Sequence, residues 1–206
     1  MFSFAQRIKG GLIAGFNLTQ VDGDQLYGFH KIGLNVGATA IVPVGKKFSA
    51  TLETIYTQKG SFQSKNDTLT SPPYKLVLNY VEVPVLFSYT DKEVVKAGGG
   101  FSWGRLVGFE EWEHLKRVNW TTPDGPYKHS DVDAIADIQF KLFTGFWFDC
   151  RYSYSIAKIR TRTFHDIIGN VWTRKQYNND FTFRLIYIFK DSPSTKKKTK
   201  DVDKIK

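Results

Sequence analysis

Histidines are the side chains of this sequence that are best suited to acid–base or metal chemistry. They lie in or beside segments that separate predicted strands: His30, His114, His129 and His165. Ser130, Asp131 and Asp166 lie close to the last two in the chain, and a serine, a histidine and a carboxylate are the groups that a hydrolase or acyltransferase uses. No nucleophile motif accompanies these residues, and the histidines lack metal-ligand spacing. We therefore predict no catalytic residues, no metal and no cofactor, with a lipid hydrolase or acyltransferase as the enzymatic alternative.

Charged side chains at mid-strand positions form a second group that can act together. They alternate with apolar residues, and this spacing puts them on one face of their predicted strands: Glu53, Glu82, Asp137, Lys141, Asp149, Arg151 and Arg184. Both signs are present, so these side chains can form ion pairs if the face is buried. The pattern predicts a charge network in the interior of the fold. In contrast, Glu111 falls in a predicted loop and is expected to be exposed.

The strand that closes the chain shows most clearly how such charges are positioned. In residues 181–189, Phe, Phe, Leu, Tyr and Phe occupy every second position, which predicts a strand with one strongly apolar face. Seven earlier segments alternate in the same way, at about residues 11–19, 31–42, 48–59, 76–89, 96–107, 134–142 and 146–155. Pro84 interrupts the fourth of these. Because proline lacks a ladder donor, we expect it at a bulge or a locally unpaired site.

The segments between the predicted strands alternate between short turns and long loops. Short turns are predicted at residues 43–46, 90–92 and 143–145, and long loops at 20–30, 60–74, 109–131 and 157–175. Outer-membrane barrels show this asymmetry, because their periplasmic turns are short and their extracellular loops are longer. The sequence therefore predicts an all-β fold: a closed antiparallel up-and-down transmembrane β-barrel of about eight strands in the bacterial outer membrane, crossing it many times, with both termini periplasmic.

Composition alone is compatible with a soluble protein or with a membrane barrel. The 206 residues are 41% hydrophobic and 16% aromatic, and no run of about 18 apolar residues is present to form a membrane helix. The soluble alternative is a lipocalin-like barrel with a polar exterior. We favour the membrane barrel because the uncharged strand face is almost purely apolar, and a lysine or arginine facing lipid near the midplane costs about 2–4 kcal/mol. The charged face is therefore expected to line the lumen.

The predicted lumen is narrow. A barrel of about eight strands has an interior just wide enough for side chains. We therefore expect the protein to plug its own lumen, with Glu53 and Glu82 facing inward among Arg151, Arg184 and Lys141.

Charge and cysteine content exclude other classes of function. The net charge is +9, but the basic residues alternate with apolar ones along strands and do not cluster with aromatics on one face, so nucleic-acid binding is not predicted. Cys150 is the only cysteine, which rules out an intramolecular disulfide and a cysteine-rich metal site.

The chain is predicted to form one folded domain with a short segment on each side. Residues 1–10 resemble the end of a signal peptide, with Ser3 and Ala5 spaced as at a cleavage point. Residues 11–190 form the predicted barrel domain. Residues 191–206 contain six lysines against three aspartates and few apolar side chains, which predicts a disordered, lysine-rich periplasmic tail.

Two motifs carry a resemblance to a known family. Residues 52–60 read Leu-Glu-Thr-Ile-Tyr-Thr-Gln-Lys-Gly, and residues 80–87 read Tyr-Val-Glu-Val-Pro-Val-Leu-Phe. Together with residues 11–17 and 187–189, they resemble the PorT-like outer-membrane β-barrel family. The resemblance implies a compact barrel in the outer membrane of a Gram-negative bacterium, in a family that includes accessory proteins of protein secretion. It implies no catalytic residues.

The predicted function is that of a non-enzymatic structural or accessory subunit of an outer-membrane protein machine for secretion, assembly or transport. The expected partners are outer-membrane lipid, including lipopolysaccharide at the basic loop 157–175, and other outer-membrane or periplasmic proteins. Candidate contacts with such proteins lie in the longest loop and in the tail: Trp112, Trp120, Lys196, Lys197 and Lys198. The alternatives are the enzyme considered above, acting at the barrel rim, and a solitary small barrel for ligand binding or adhesion.

Overall fold

The computed structural model describes residues 8–64, 73–120, 126–165 and 168–189. Within these ranges the chain forms ten strands: β1 (Lys9–Asp22), β2 (Lys31–Pro43), β3 (Phe48–Gln63), β4 (Tyr74–Asp91), β5 (Val95–Glu113), β6 (Lys116–Arg117), β7 (Ser130–Phe143), β8 (Phe146–Ser155), β9 (Arg160–His165) and β10 (Val171–Ile188). No helix in the described ranges has the length and apolar character needed to cross a membrane. Burial alternates along the longer strands, because polar side chains and glycines face inward while apolar side chains face outward.

Eight of these strands form a closed antiparallel ring. Around the ring, the strands follow one another in the order β1, β2, β3, β4, β5, β7, β8 and β10. The ring closes because β10 pairs with β1, from Gly11 opposite Ile188 to Asp22 opposite Tyr177. The backbone groups at the edge of the first strand are thus paired with those at the edge of the last strand, and the ring has no open edge. The predicted all-β, closed, up-and-down barrel of about eight strands is confirmed.

The two ends of the barrel differ in their connections. At one end, called the turn end here, short turns join β2 to β3, β4 to β5 and β7 to β8. β1 also begins and β10 also ends at the turn end. At the other end, called the loop end, the connections are longer, and β6 and β9 extend the wall by pairing with β5 and β10.

The strands extend further at the loop end than the sequence predicts. β5 continues to Glu113, although the alternation predicts a loop from residue 109. β9 and the first part of β10 form a hairpin, from Gln176 opposite Arg160 to Val171 opposite His165. The prediction of a loop at 157–175 is therefore wrong over most of its length. Polar residues are frequent on both faces of these extensions, so alternation of apolar and polar residues does not reveal them.

A β-bulge explains why the fifth strand loses its alternation. Leu106 and Gly108 pair with consecutive residues of β4, so Val107 between them has no partner on that strand. Because side chains alternate between the two faces of a strand, one extra residue reverses the faces that follow it. Glu111 consequently points inward and is buried. The expectation that Glu111 is exposed is wrong for this reason.

Pro84 occupies a gap in the ladder between β3 and β4. Leu52 pairs with Val85 and Ile55 pairs with Glu82, but the positions between them are unpaired. The register is the same on both sides of the gap. The predicted locally unpaired site at Pro84 is thus confirmed, and it accommodates a ring nitrogen that has no hydrogen to donate.

Apolar side chains form a belt around the outside of the barrel. Members of this belt on seven of the eight ring strands are exposed: Leu12, Leu34, Leu52, Val85, Phe101, Phe140 and Leu185. Aromatic rings meet across strands at the turn end, where ring centroids are 5.5 Å apart for Phe48 and Phe87 and 4.7 Å apart for Phe146 and Tyr187. Soluble monomers rarely expose apolar patches larger than a few hundred Å². The outer surface is therefore suited to apolar surroundings.

Candidate functional site: ion-pair networks inside the barrel

Glu53 lies at the centre of an ion-pair network in the lumen. Its side chain is on β3 and is only 1% exposed. Arg151 of β8 donates two hydrogen bonds to the carboxylate, each 3.0 Å long. Arg184 of β10 donates two more, of 3.0 and 3.3 Å. One carboxylate therefore holds two guanidinium groups that come from strands far apart in sequence.

Two further carboxylates complete this cluster, which we call the Glu53 network (Glu53, Asp137, Asp149, Arg151 and Arg184). The Arg184 Nε atom donates a hydrogen bond of 2.8 Å to Asp149, and its Nη2 atom contacts the same oxygen. Asp137 lies 3.9 Å from Arg151. Removing one partner of such a buried pair leaves an uncompensated charge, at a typical cost of about 3–5 kcal/mol. The five residues thus depend on one another.

A second cluster surrounds Lys59, further along β3 toward the loop end. We call it the Lys59 network (Lys59, Glu82, Asp131, Asp133 and Asp180). The ammonium nitrogen of Lys59 lies 2.8 Å from Glu82, 2.5 Å from Asp133 and 3.5 Å from Asp180. Asp131 accepts hydrogen bonds of 2.7 Å from Ser155 and from Asn178. One lysine therefore serves several carboxylates, aided by neutral donors.

Alternation along the strands identifies the Glu53 network more completely than the Lys59 network. Glu82 faces inward, as the alternation predicts, but its cationic partner is Lys59. Lys59 itself alternates with the apolar positions of β3, so this signal was present in the sequence. Asp131 falls in a predicted loop, and Asp180 directly precedes the apolar run that marks the last strand. The position of Asp131 and Asp180 in the lumen becomes evident only when the strands are arranged in the closed ring.

Lys141 does not belong to either network. It is exposed near the turn end of β7, and its backbone N–H donates to the carbonyl of Val94. The ladder between β7 and β8 is irregular between Lys141 and Phe143. The prediction that Lys141 lies in the lumen network is wrong, because the barrel wall ends there and the side chain lies in the open mouth.

Glycines leave room for the largest buried side chains. A Cβ atom at Gly15 would lie 2.2 Å from the carbonyl oxygen of Phe183 and 3.0 Å from the Cγ atom of Arg184. At Gly104, a Cβ atom would lie 3.0 Å from the Cγ atom of Glu82. The charged side chains therefore lie across glycine positions of neighbouring strands.

Apolar side chains close the lumen toward the loop end. This cluster, called the loop-end plug, consists of Val21, Leu76, Leu78, Tyr80, Tyr127 and Ile159. Arg160 lies beside it and donates hydrogen bonds of 3.0 Å to Glu111 and 2.7 Å to the hydroxyl of Tyr127. Burial raises the pKa of the Tyr127 hydroxyl above its usual value. The plug and its polar neighbours hold the loop-end connections together.

The charged groups of both networks contact one another inside the barrel. No three His, Cys, Asp or Glu side chains in the described ranges are placed to hold a metal ion. His30 and His114 are exposed at the loop end. The networks are shielded from water by the wall, which suits them to filling and stabilising the lumen.

A family model described as "Outer membrane protein beta-barrel domain" matches residues 4–160. The chain belongs to this family. The apolar belt of this bacterial outer-membrane barrel therefore faces lipid, and the charged faces of its strands line the lumen. No curated protein matches the sequence.

Solved structures of small outer-membrane barrels are similar to this one. The crystal structure of Ail, the attachment invasion locus protein of Yersinia pestis, has a TM-score of 0.51 at 12% identity and covers 88% of this chain and 98% of its own. Ail in complex with the heparin analogue sucrose octasulfate has a TM-score of 0.50 at 14% identity, covering 89% and 99%. Neisserial surface protein A has a TM-score of 0.49 at 9% identity, covering 88% and 97%. At these identities the similarity concerns the fold alone.

Both candidate tryptophans of this outer-membrane barrel lie at the loop end. Trp112 belongs to β5, not to a loop, and is half-buried beside Leu115 in an apolar depression of about 300 Å³. Trp120 is 38% exposed, and the guanidinium carbon of Arg160 lies 5.3 Å from its ring centroid. Contact of either ring with a partner protein stays a prediction. Lys196, Lys197 and Lys198, like the rest of the tail and residues 1–7, lie outside the described residues.

Proposed function

We propose that this protein is a non-enzymatic outer-membrane barrel that acts as an accessory subunit by binding other proteins of the envelope. One observation carries the proposal: in the described part of the chain, the two ion-pair networks and the loop-end plug occupy the lumen. A barrel filled in this way has its lipid face and its two ends left for function. The PorT-like resemblance of residues 52–60 and 80–87 supports a role beside a secretion machine.

The proposal includes an orientation in the membrane. Short turns of outer-membrane barrels face the periplasm and long loops face outward. The turn end is then periplasmic, and so are both ends of the chain. Periplasmic partners would meet the turn end and the tail, whereas extracellular components would meet the loop end.

Affinity purification from native envelopes in mild detergent tests this function. The tagged full-length protein is expected to bring down one or more envelope proteins in constant proportion. Truncation after Phe189 and the double change Trp112→Ala with Trp120→Ala separate the contributions of the tail and the loop end. Recovery of the wild type alone, together with lipid hydrolysis that is lost on substitution of His114 or His129, would favour the enzyme instead.

The β9–β10 hairpin supports a second candidate function, binding of a polyanion such as lipopolysaccharide at the loop end. Arg174 lies directly opposite Arg162 in this hairpin, with Lys175 beside it. Arg162 is neutralised by Glu113 at 2.5 Å, but Arg174 and Lys175 are exposed. Exposed arginine and lysine side chains form charge-assisted hydrogen bonds with phosphate oxygens, and Arg174 and Lys175 are available for this. Ail, a barrel of similar fold, has been solved in complex with a sulfated sugar, which supports this candidate.

Lipopolysaccharide binding separates the second candidate from the first. Changing Arg174→Gln and Lys175→Gln together is expected to weaken binding of purified lipopolysaccharide by tenfold or more, because two exposed charges are lost. The matched control is Lys92→Gln, which removes an exposed lysine at the turn end. Equal binding by all three proteins would exclude the hairpin as the site.

A further inference from the structure

The turn end of the barrel opens into a depression that carries a strong excess of positive charge. Its volume is about 410 Å³. Its charged lining consists of five lysines and a single acid: Lys9, Lys46, Lys47, Lys96, Lys141 and Glu93. Such an excess raises the local concentration of anions and speeds their association.

Two buried polar groups that line this depression have no hydrogen-bond partner among the described residues. Lys96 is 6% exposed, and its ammonium nitrogen lies 5.4 Å from the ring centroid of Trp147. Within the described ranges it forms no hydrogen bond or ion pair, and Asp137 and Asp149, which attract it electrostatically, already interact with arginines of the Glu53 network. The hydroxyl of Ser49 is buried and also has no hydrogen-bond partner among the described residues. An ammonium and a hydroxyl together suit an oxyanion.

The surroundings of these groups favour a peptide over a lipid or a free ion. Trp147 and Ile188 line the depression beside the two polar groups, so it offers apolar contacts that inorganic phosphate cannot use. Its lining residues Ile41, Ser49 and Lys96 are buried in the barrel, whereas lipid chains must stay against the belt outside it. A segment that presents a carboxylate next to an apolar side chain matches both features.

We propose that the turn-end depression is a docking site for an acidic peptide segment of another envelope protein. Lys96 and Ser49 bind one carboxylate of this segment, an adjacent apolar side chain packs on Trp147 and Ile188, and the rim lysines attract the remaining acids. The inference rests on the proposed accessory function and names the surface through which it acts.

Peptide binding to the full-length protein in lipid nanodiscs tests this site. The probe is a fluorescein-labelled hexapeptide that contains Asp, Glu and Phe, and its control replaces each acid by Asn or Gln. Fluorescence anisotropy is expected to show binding of the acidic probe alone, weakened by added salt. Lys96→Met should weaken binding at least tenfold. The double variant Lys47→Met with Lys141→Met should do the same, and it leaves the interior unchanged because both lysines lie at the exposed rim. Lys92→Met, at the same end but outside the depression, should have no effect.

Three results would overturn the proposal, and a fourth separates it from the accessory function. Equal binding of the neutral peptide, or equal weakening by Lys92→Met and by the rim pair, would mean that no specific acid site exists. Displacement of the probe by inorganic phosphate more strongly than by chloride at equal ionic strength would make the depression a phosphate site. If the peptide binds as expected but the purified wild type carries no partner, the accessory function fails while the site stands.

Discussion

At the scale of single residues, Glu53 accepts hydrogen bonds from two buried arginines and therefore should be the most sensitive position of the lumen. Changing Glu53→Gln removes the carboxylate that both arginines share, and leaves Arg151 with Asp137, 3.9 Å away, as its anionic partner. We expect a loss of about 3–5 kcal/mol in the free energy of unfolding. Urea unfolding in detergent micelles, followed by tryptophan fluorescence, measures it.

Glu110 provides the matched control for this change. It lies on the same end of β5 as buried Glu111, but its side chain is 47% exposed and lies 3.6 Å from an exposed arginine, Arg117. Exposed pairs of this kind contribute about 0–1 kcal/mol. If Glu110→Gln and Glu53→Gln destabilised the barrel equally, the Glu53 network would not stabilise it as its geometry suggests.

Asp24 provides a pH-dependent prediction outside the membrane-spanning strands. Burial raises the pKa of Asp24 to about 6, whereas an unfolded aspartate titrates near about 3.9. The folded state therefore binds the proton more tightly, and the free energy of unfolding falls as pH rises from about 4 to about 6, by about 3 kcal/mol. Asp24→Asn removes this loss, while its amide oxygen can still accept the hydrogen bond from the N–H of Leu26.

The expected result is a difference that depends on pH. Asp24→Asn and the wild type should unfold at the same urea concentration at pH 4, and the variant should be the more stable at pH 7.5. A constant difference at both pH values would show that burial of the Asp24 carboxyl does not control stability.

At the scale of strands, alternation predicts the elements well wherever one face meets lipid. β2 shows this best, since Leu34 and Val36 alternate with inward-facing Asn35. Alternation fails beyond the lipid, as in the hairpin of β9 and β10, because neither face there needs to be apolar. Alternation also cannot locate a bulge. The extra residue of a bulge reverses which side chains face inward, but no particular residue type marks its position. The exposed position predicted for Glu111 is wrong for that reason.

Partners inside the lumen are even less accessible to sequence reasoning. Alternation places Glu53 and Glu82 on the inward face, but the choice of Arg151 and Arg184 for one and Lys59 for the other depends on the stagger of the strands around the ring. Alternation assigns Lys141 to the inward face as well, yet Lys141 lies where the barrel wall ends. Lys141 is exposed because of its position along the barrel axis, not because of the strand face on which it lies.

Deleting Val107 tests the role of the bulge in β5. Without this residue, β5 would pair with β4 in a continuous register, and Phe109 and Glu111 would turn outward. The part of β5 nearer the turn end keeps its register, so the barrel should still insert. The loop-end plug should loosen, and amide hydrogen exchange of Ile159 and Gln176 should become faster. Unchanged protection of these amides would show that the bulge does not position the plug.

At the scale of the whole molecule, the barrel joins an apolar exterior to a lumen filled by its own side chains. Eight strands give an interior that side chains can fill, and here they do so in layers: the Glu53 network, the Lys59 network and the loop-end plug. A filled lumen leaves the two ends as working surfaces. The central claim about this molecule is therefore that the barrel is closed to ions.

Planar-bilayer recording of the refolded full-length protein tests that claim most directly. Insertion is first verified by the change in gel mobility between unheated and boiled samples. The expected result is a bilayer whose conductance stays at the level of protein-free lipid over prolonged recording at both polarities. Reproducible single-channel steps from the wild type would contradict it, because ions would then pass where the networks and the plug are placed.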